Sequence, residues 1–120
     1  DHKIVVEAFD DPLVQGISCY VSRAKTGGLK GAFGLAEDPS NFSVACQQTG
    51  AISFLKPLPD RQSVFKESAS LVFKHVQVVR MIDIKRNTLV YLTYSDRVIE
   101  GSPESSVAAF AIRDQKIPVK

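Results

Sequence analysis

Leu71–Ile84 (LVFKHVQVVRMIDI) and Thr88–Ser95 (TLVYLTYS), separated by Lys85-Arg86-Asn87, decide the fold class. Both runs are dense in β-branched and aromatic residues, which suit a pleated, partly covered surface. The polar residues between them form a connection of hairpin length. The two runs therefore read as the central hairpin of an antiparallel sheet. Apolar side chains fall on both parities, with Val76, Val78 and Ile82 set against Val79 and Met81. Successive side chains of a strand point to opposite faces. Both faces are thus expected to be covered in part, as in a sandwich or a barrel-like curved sheet.

Outward from this hairpin, most signals are again for strands. Lys3 to Phe9 is rich in Ile and Val and stops at Asp10-Asp11-Pro12, a turn composition. Ile17 to Arg23 follows, and Phe42 to Gln48 gives a third strand that Thr49-Gly50 should break. Ala51 to Leu55 reads as a short fourth, ended by Pro57 and Pro59, because proline cannot donate to a central ladder. Ser63 to Lys66 and Val107 to Ile112 are expected as edge strands. Helix is confined to two short candidates. One opens at Ser102-Pro103-Glu104, with a serine cap and proline in first position. The other is Leu29 to Glu37, against which Gly31 and Gly34 each weigh about 1 kcal/mol. The expectation is a single, mainly β domain over residues 1–120, with one or two short helices.

Composition narrows the class. A net charge of +2, from 15 basic and 13 acidic residues, gives no clustered basic footprint for nucleic acid. No apolar run approaches the roughly 18 residues of a membrane span. Neither nucleic-acid binding nor membrane insertion is expected.

Cys19 and Cys46 are the only cysteines, and they bracket four of the seven glycines. Strict alternation puts Ile17, Cys19 and Val21 on one strand face, and Phe42, Val44 and Cys46 on another. Both thiols then point to apolar faces, where they are expected to meet across the core. Such a bond would stabilise the fold by about 3–4 kcal/mol in the chain-entropy model. The residues also permit two unpaired buried cysteines that behave as small hydrophobes.

The bracketed segment carries the candidate contact residues Lys25, Thr26, Gly27, Gly28, Lys30, Gly31, Glu37 and Asp38. Glycines let backbone N–H groups approach an anion, and two lysines can neutralise it. The same glycines also suit a compact loop that needs positive φ. Neither the Walker pattern nor a dinucleotide fingerprint is present.

Catalytic motifs fail on mechanics. Ser22-Arg23-Ala24-Lys25 and Lys25-Thr26-Gly27 match the S-x-x-K and K-T-G patterns of penicillin-recognising serine enzymes. Here, however, the two patterns share Lys25, whereas that chemistry needs lysines on separate elements. His2 and His75 show no ligand spacing, and Asp10, Asp11, Glu37 and Asp38 are unmarked as a metal set. No catalytic residue, metal or cofactor is assigned.

The runs DHKIVVEAFDDP, CYVSRAKTGGLKG, GLAEDPS and ACQQTG, followed by SLVFK, QVVR, KRNTLVYLTYSD and EGSP, closely resemble the CreA family of Gram-negative bacteria. The resemblance extends from Asp1 to about Ile112, with the runs in the family's order. It is weakest over Ala51–Arg61 and after Ile112. Family members look like exported proteins with a cleavable signal peptide, which implies a periplasmic location and supports pairing of Cys19 with Cys46. They typically carry a short mature segment before the position of Asp1, whose absence is expected to uncover a sheet edge. The family is named for catabolite regulation, after genes beside a sensor kinase and response regulator, and it brings no assigned reaction.

The combined expectation is a non-catalytic periplasmic module that binds a small ligand or an envelope protein, linked to envelope or catabolite signalling. The alternatives are an enzyme with dispersed catalytic residues, or an assembly role.

Overall fold

The computed structural model describes residues 2–26, 36–65, 76–95 and 105–120. These form seven strands: β1 (His2–Asp10), β2 (Val14–Thr26), β3 (Ala36–Phe54), β4 (Arg61–Ser63), β5 (Val76–Asp83), β6 (Thr88–Ser95) and β7 (Ser105–Ala111). They make two antiparallel sheets, ordered β1-β2-β3 and β4-β5-β6-β7. The sheets face each other as a sandwich, and no closed barrel is present among the described residues.

The β5–β6 hairpin is central to its sheet from Val76 onward, as its composition predicts, whereas residues 71–75 of the expected strand lie outside the described residues. Its connection is a turn over residues 84–87, tied by Asp83, whose Oδ1 accepts the Arg86 N–H at 3.1 Å. Period-two alternation then builds the core. Val76, Val78, Leu89 and Tyr91 turn inward from this sheet, and Phe9, Ile17, Cys19 and Val21 from the other. The terminal tail is sewn on by Asn87, a turn residue at φ 49°. Its Nδ2 donates to the carbonyls of Ile112 and Gln115, and its Oδ1 accepts from Ile117 N–H.

Three expectations need correction. First, β3 is not broken at Thr49-Gly50. Between the pairs Gln15↔Ser53 and Ile17↔Gln48, β2 advances two residues while β3 advances five, so the extra length is absorbed as a bulge. Gly16 makes this possible. Its φ is +91°, and a Cβ there would stand 2.3 Å from the Ala51 carbonyl oxygen.

Second, none of the described residues is helical. Residues 29–35 and 102–104 of the two helix candidates lie outside the described residues. The remainder, Ala36-Glu37 and Ser105 onward, is strand.

Third, the disulfide forms but does not cross the core. Cys19 and Cys46 are directly opposed partners on adjacent strands β2 and β3, with Cα atoms 4.0 Å apart. That separation suits a pair without mutual backbone hydrogen bonds, where side chains lie closest. The bond therefore staples the middle of one ladder. Thr26, the last residue of β2, stands seven residues from Cys19, or about 23 Å of extended strand.

Candidate functional site

The sandwich holds a charged cluster at its centre. Arg80, on β5, has the parity of Val76 and Val78 and is fully buried. Its Nη1 donates to both carboxylate oxygens of Asp11, at 3.2 and 3.3 Å, and its Nη2 donates to Gln62 Oε1. Tyr91, opposite Arg80 in the β5–β6 register, donates its hydroxyl to Asp11 Oδ2 at 2.8 Å. Asp11 Oδ1 also accepts the Leu13 N–H at 2.9 Å, which fixes the β1–β2 turn. Phe9 meets Tyr91 and Phe65 edge-on and closes the cluster from the side. One carboxylate thus ties the turn of the first sheet to two strands of the second.

Burial, then the Asp11 charge and its hydrogen bond, push the Tyr91 hydroxyl well above the ordinary tyrosine range, against an opposing pull from Arg80. Tyr91 is therefore a neutral donor and not a nucleophile. Because three donors, Arg80 Nη1, the Tyr91 hydroxyl and the Leu13 N–H, hold the Asp11 carboxylate, this cluster acts as a clamp between sheets. A hollow of about 220 Å³ at Leu13, Lys56, Pro59 and Lys120 borders the clamp through Gln62 and Leu13.

A larger opening lies elsewhere, at the seam between the sheets. A groove of about 620 Å³ has Gln48, Ala51 and Ile52 of β3 on one wall. Its other wall runs from Ala109 on β7 to Gln115 in the tail. Gln115 bridges its two walls, donating from Nε2 to the Ile52 carbonyl at 2.9 Å. Arg113 and Asp114 stand exposed on its rim.

The residues singled out in the glycine segment are only partly placed. Gly27, Gly28, Lys30 and Gly31 lie outside the described residues. Lys25 and Thr26 end β2, and the β2–β3 register sets them opposite Glu37 and Ala36. Asp38 follows in β3. Asp10, weighed as a metal ligand, accepts a hydrogen bond from Ser18 Oγ at 2.6 Å. Among the described residues, no three His, Cys, Asp or Glu side chains gather as a metal set.

Sequence reasoning missed the clamp and the groove. Arg80 carries a signal, since a charged residue on the apolar parity of a strand must find a buried partner. The groove carries none, because it arises where two strands distant in sequence come together.

Comparison with known proteins follows from the chain as a whole. The family model described as CreA protein matches residues 1–115. Protein CreA of Escherichia coli strain K12 is 55% identical over 116 residues, covering 93% of this chain and 74% of the relative. The same protein of Escherichia coli O157:H7 matches with the same identity and coverage. No solved structure matches the chain.

Proposed function

The chain belongs to the CreA family, and from that premise we propose that it is a periplasmic binding module that recognises a small ligand or an envelope protein without transforming it. The observation that carries this reading is the groove of about 620 Å³ at the β3–β7 seam. Its volume falls in the range of about 300–1,000 Å³ typical of ligand sites. Its lining combines apolar side chains with a few polar ones, among them Gln48, Arg113 and Asp114. The buried clamp, by contrast, turns the terminal nitrogens of Arg80 and the Tyr91 hydroxyl onto Asp11 and Gln62. That arrangement holds the walls in place and leaves recognition to the surface.

The disulfide supports an oxidising compartment, since such bonds persist in the periplasm and are rare in cytosol. The glycine segment is a second contact surface in this proposal, with Lys25, Lys30, Glu37 and Asp38 flanking Gly27, Gly28 and Gly31 beside Thr26. A link to envelope or catabolite signalling rests on the family resemblance alone.

Cross-linking in intact cells tests the reading. Photoreactive residues at Gln48 and Ala109, and at Lys25 and Lys30, should yield adducts with a partner in the periplasmic fraction. Lys25→Ala and Lys30→Ala should keep the melting temperature while abolishing a physiological phenotype. Cytoplasmic fractionation, or no adduct from any of these positions, would overturn it.

A further inference from the structure

Resting on the binding reading above, we propose that the groove takes an extended peptide segment of a partner, which adds as a strand to the free edge of β7. The two sheet orders leave β1, β3, β4 and β7 as terminal strands. Exposed edges are templates for unwanted pairing, and proteins normally blunt them with charges, proline, bulges or short length. Three of these edges are blunted. β1 carries Lys3, Glu7 and Asp10; β3 carries Pro39 and lies on a ladder with two register irregularities; β4 is three residues long. β7, with the sequence SSVAAFA, has no charge and no proline, and it pairs with β6 without a register shift. It is the unguarded edge of the described structure.

The ladder identifies which atoms face outward. Ile112 N–H donates to the Asn87 carbonyl at 3.0 Å, one step beyond the pair Thr88↔Ala111. Opposed residues of an antiparallel ladder alternate between hydrogen-bonded and non-bonded pairs. Phe110, Ala108 and Ser106 therefore turn their N–H and C=O groups toward β6, whereas Ala111, Ala109 and Val107 turn theirs away. Among the described residues, these outward groups have no hydrogen-bond partner. A row of alternating donors and acceptors is complementary in charge to one thing above all, another extended backbone. The alanine side chains let that backbone come close. On the rim, Arg113 and Asp114 offer opposite charges to a segment carrying both signs.

The test uses the disulfide-intact protein and phage-displayed random heptapeptides, followed by titration of synthetic copies of the enriched sequences. Ala109→Pro removes an outward N–H without touching the β6 ladder, and Ala109→Lys adds an edge-blocking charge. The proposal expects enrichment on the wild type, with affinity for both variants reduced by at least about tenfold and melting unchanged. Should the proline variant unfold, the lysine variant decides. No enrichment, or equal binding by Ala109→Lys, overturns the peptide edge. A dimer in sedimentation that Ala109→Lys dissociates would overturn it in favour of a second copy. If in-cell adducts from Gln48 survive in Ala109→Lys, the binding module stands and only the strand addition falls. Loss of adducts from every position in the wild type removes both.

Discussion

Arg80 Nη1 lies 3.2 and 3.3 Å from the two carboxylate oxygens of Asp11, and both side chains are withdrawn from solvent. A buried pair of this kind is not a large net stabiliser, because desolvation offsets much of the attraction. Removing one member is different, since it strands the other charge. Asp11→Ala is expected to destabilise the fold by about 3–5 kcal/mol, measured by denaturant unfolding. Replacing both residues with apolar ones of similar volume should restore much of that loss. A loss in the double variant equal to the sum of the two single losses would show that the charges are not coupled.

Tyr91 supplies a pH signature for the same clamp. Its folded pKa is raised above the ordinary value of 10.0, so the native state keeps a proton that the unfolded chain releases near that pH. This stability is fully present below about pH 10 and declines as pH rises further. Tyr91→Phe should cost about 1–2 kcal/mol at neutral pH through the lost hydrogen bond and should flatten the alkaline decline. Spectroscopic titration of the phenolate should match between wild type and variant until unfolding begins.

Gly16 and Gly50 face each other across β2 and β3 but differ in what they require. Gly16→Ala forces a Cβ into the Ala51 carbonyl at positive φ, and should cost about 1–3 kcal/mol or more. Around a Cβ at Gly50 the nearest atom is 3.9 Å away, so Gly50→Ala should be nearly neutral. Thermal melts of the two variants compare them directly.

The Cys19–Cys46 bond closes a separation of 27 residues, and replacing both cysteines with alanine should cost about 3–4 kcal/mol. The β2–β3 ladder should survive, because pairing continues on both sides of the bond. Thiol titration should find no reactive thiol in the unfolded, unreduced protein and two after reduction. Two thiols before reduction would contradict the bond.

Local patterns made much of this architecture legible. The β5–β6 hairpin, its turn and the flanking edge strands follow from β-branched runs and polar punctuation near the residues where they occur. The inward parity of Cys19 and Cys46 was also readable, but not that they belong to one ladder, since alternation carries no information about which strands are neighbours. Thr49-Gly50 looked like a stop because glycine weakens a strand. Only the partner Gly16, distant in sequence, turns that weakness into a bulge. The clamp was half visible in Arg80, whose parity is wrong for a charge. Asp11 looked like an ordinary turn residue before proline. The groove was invisible, because β3 and β7 meet only once both sheets have formed.

Peptide recognition turns on the open edge of β7, and residue-resolved amide exchange by NMR reads that edge directly. Val107, Ala109 and Ala111 should exchange fast, while Ser106, Ala108 and Phe110 are protected by β6. Added peptide ligand should slow the first set alone. Uniform protection of residues 106–111 in the free protein would contradict an open β7 edge, because the edge would already be covered.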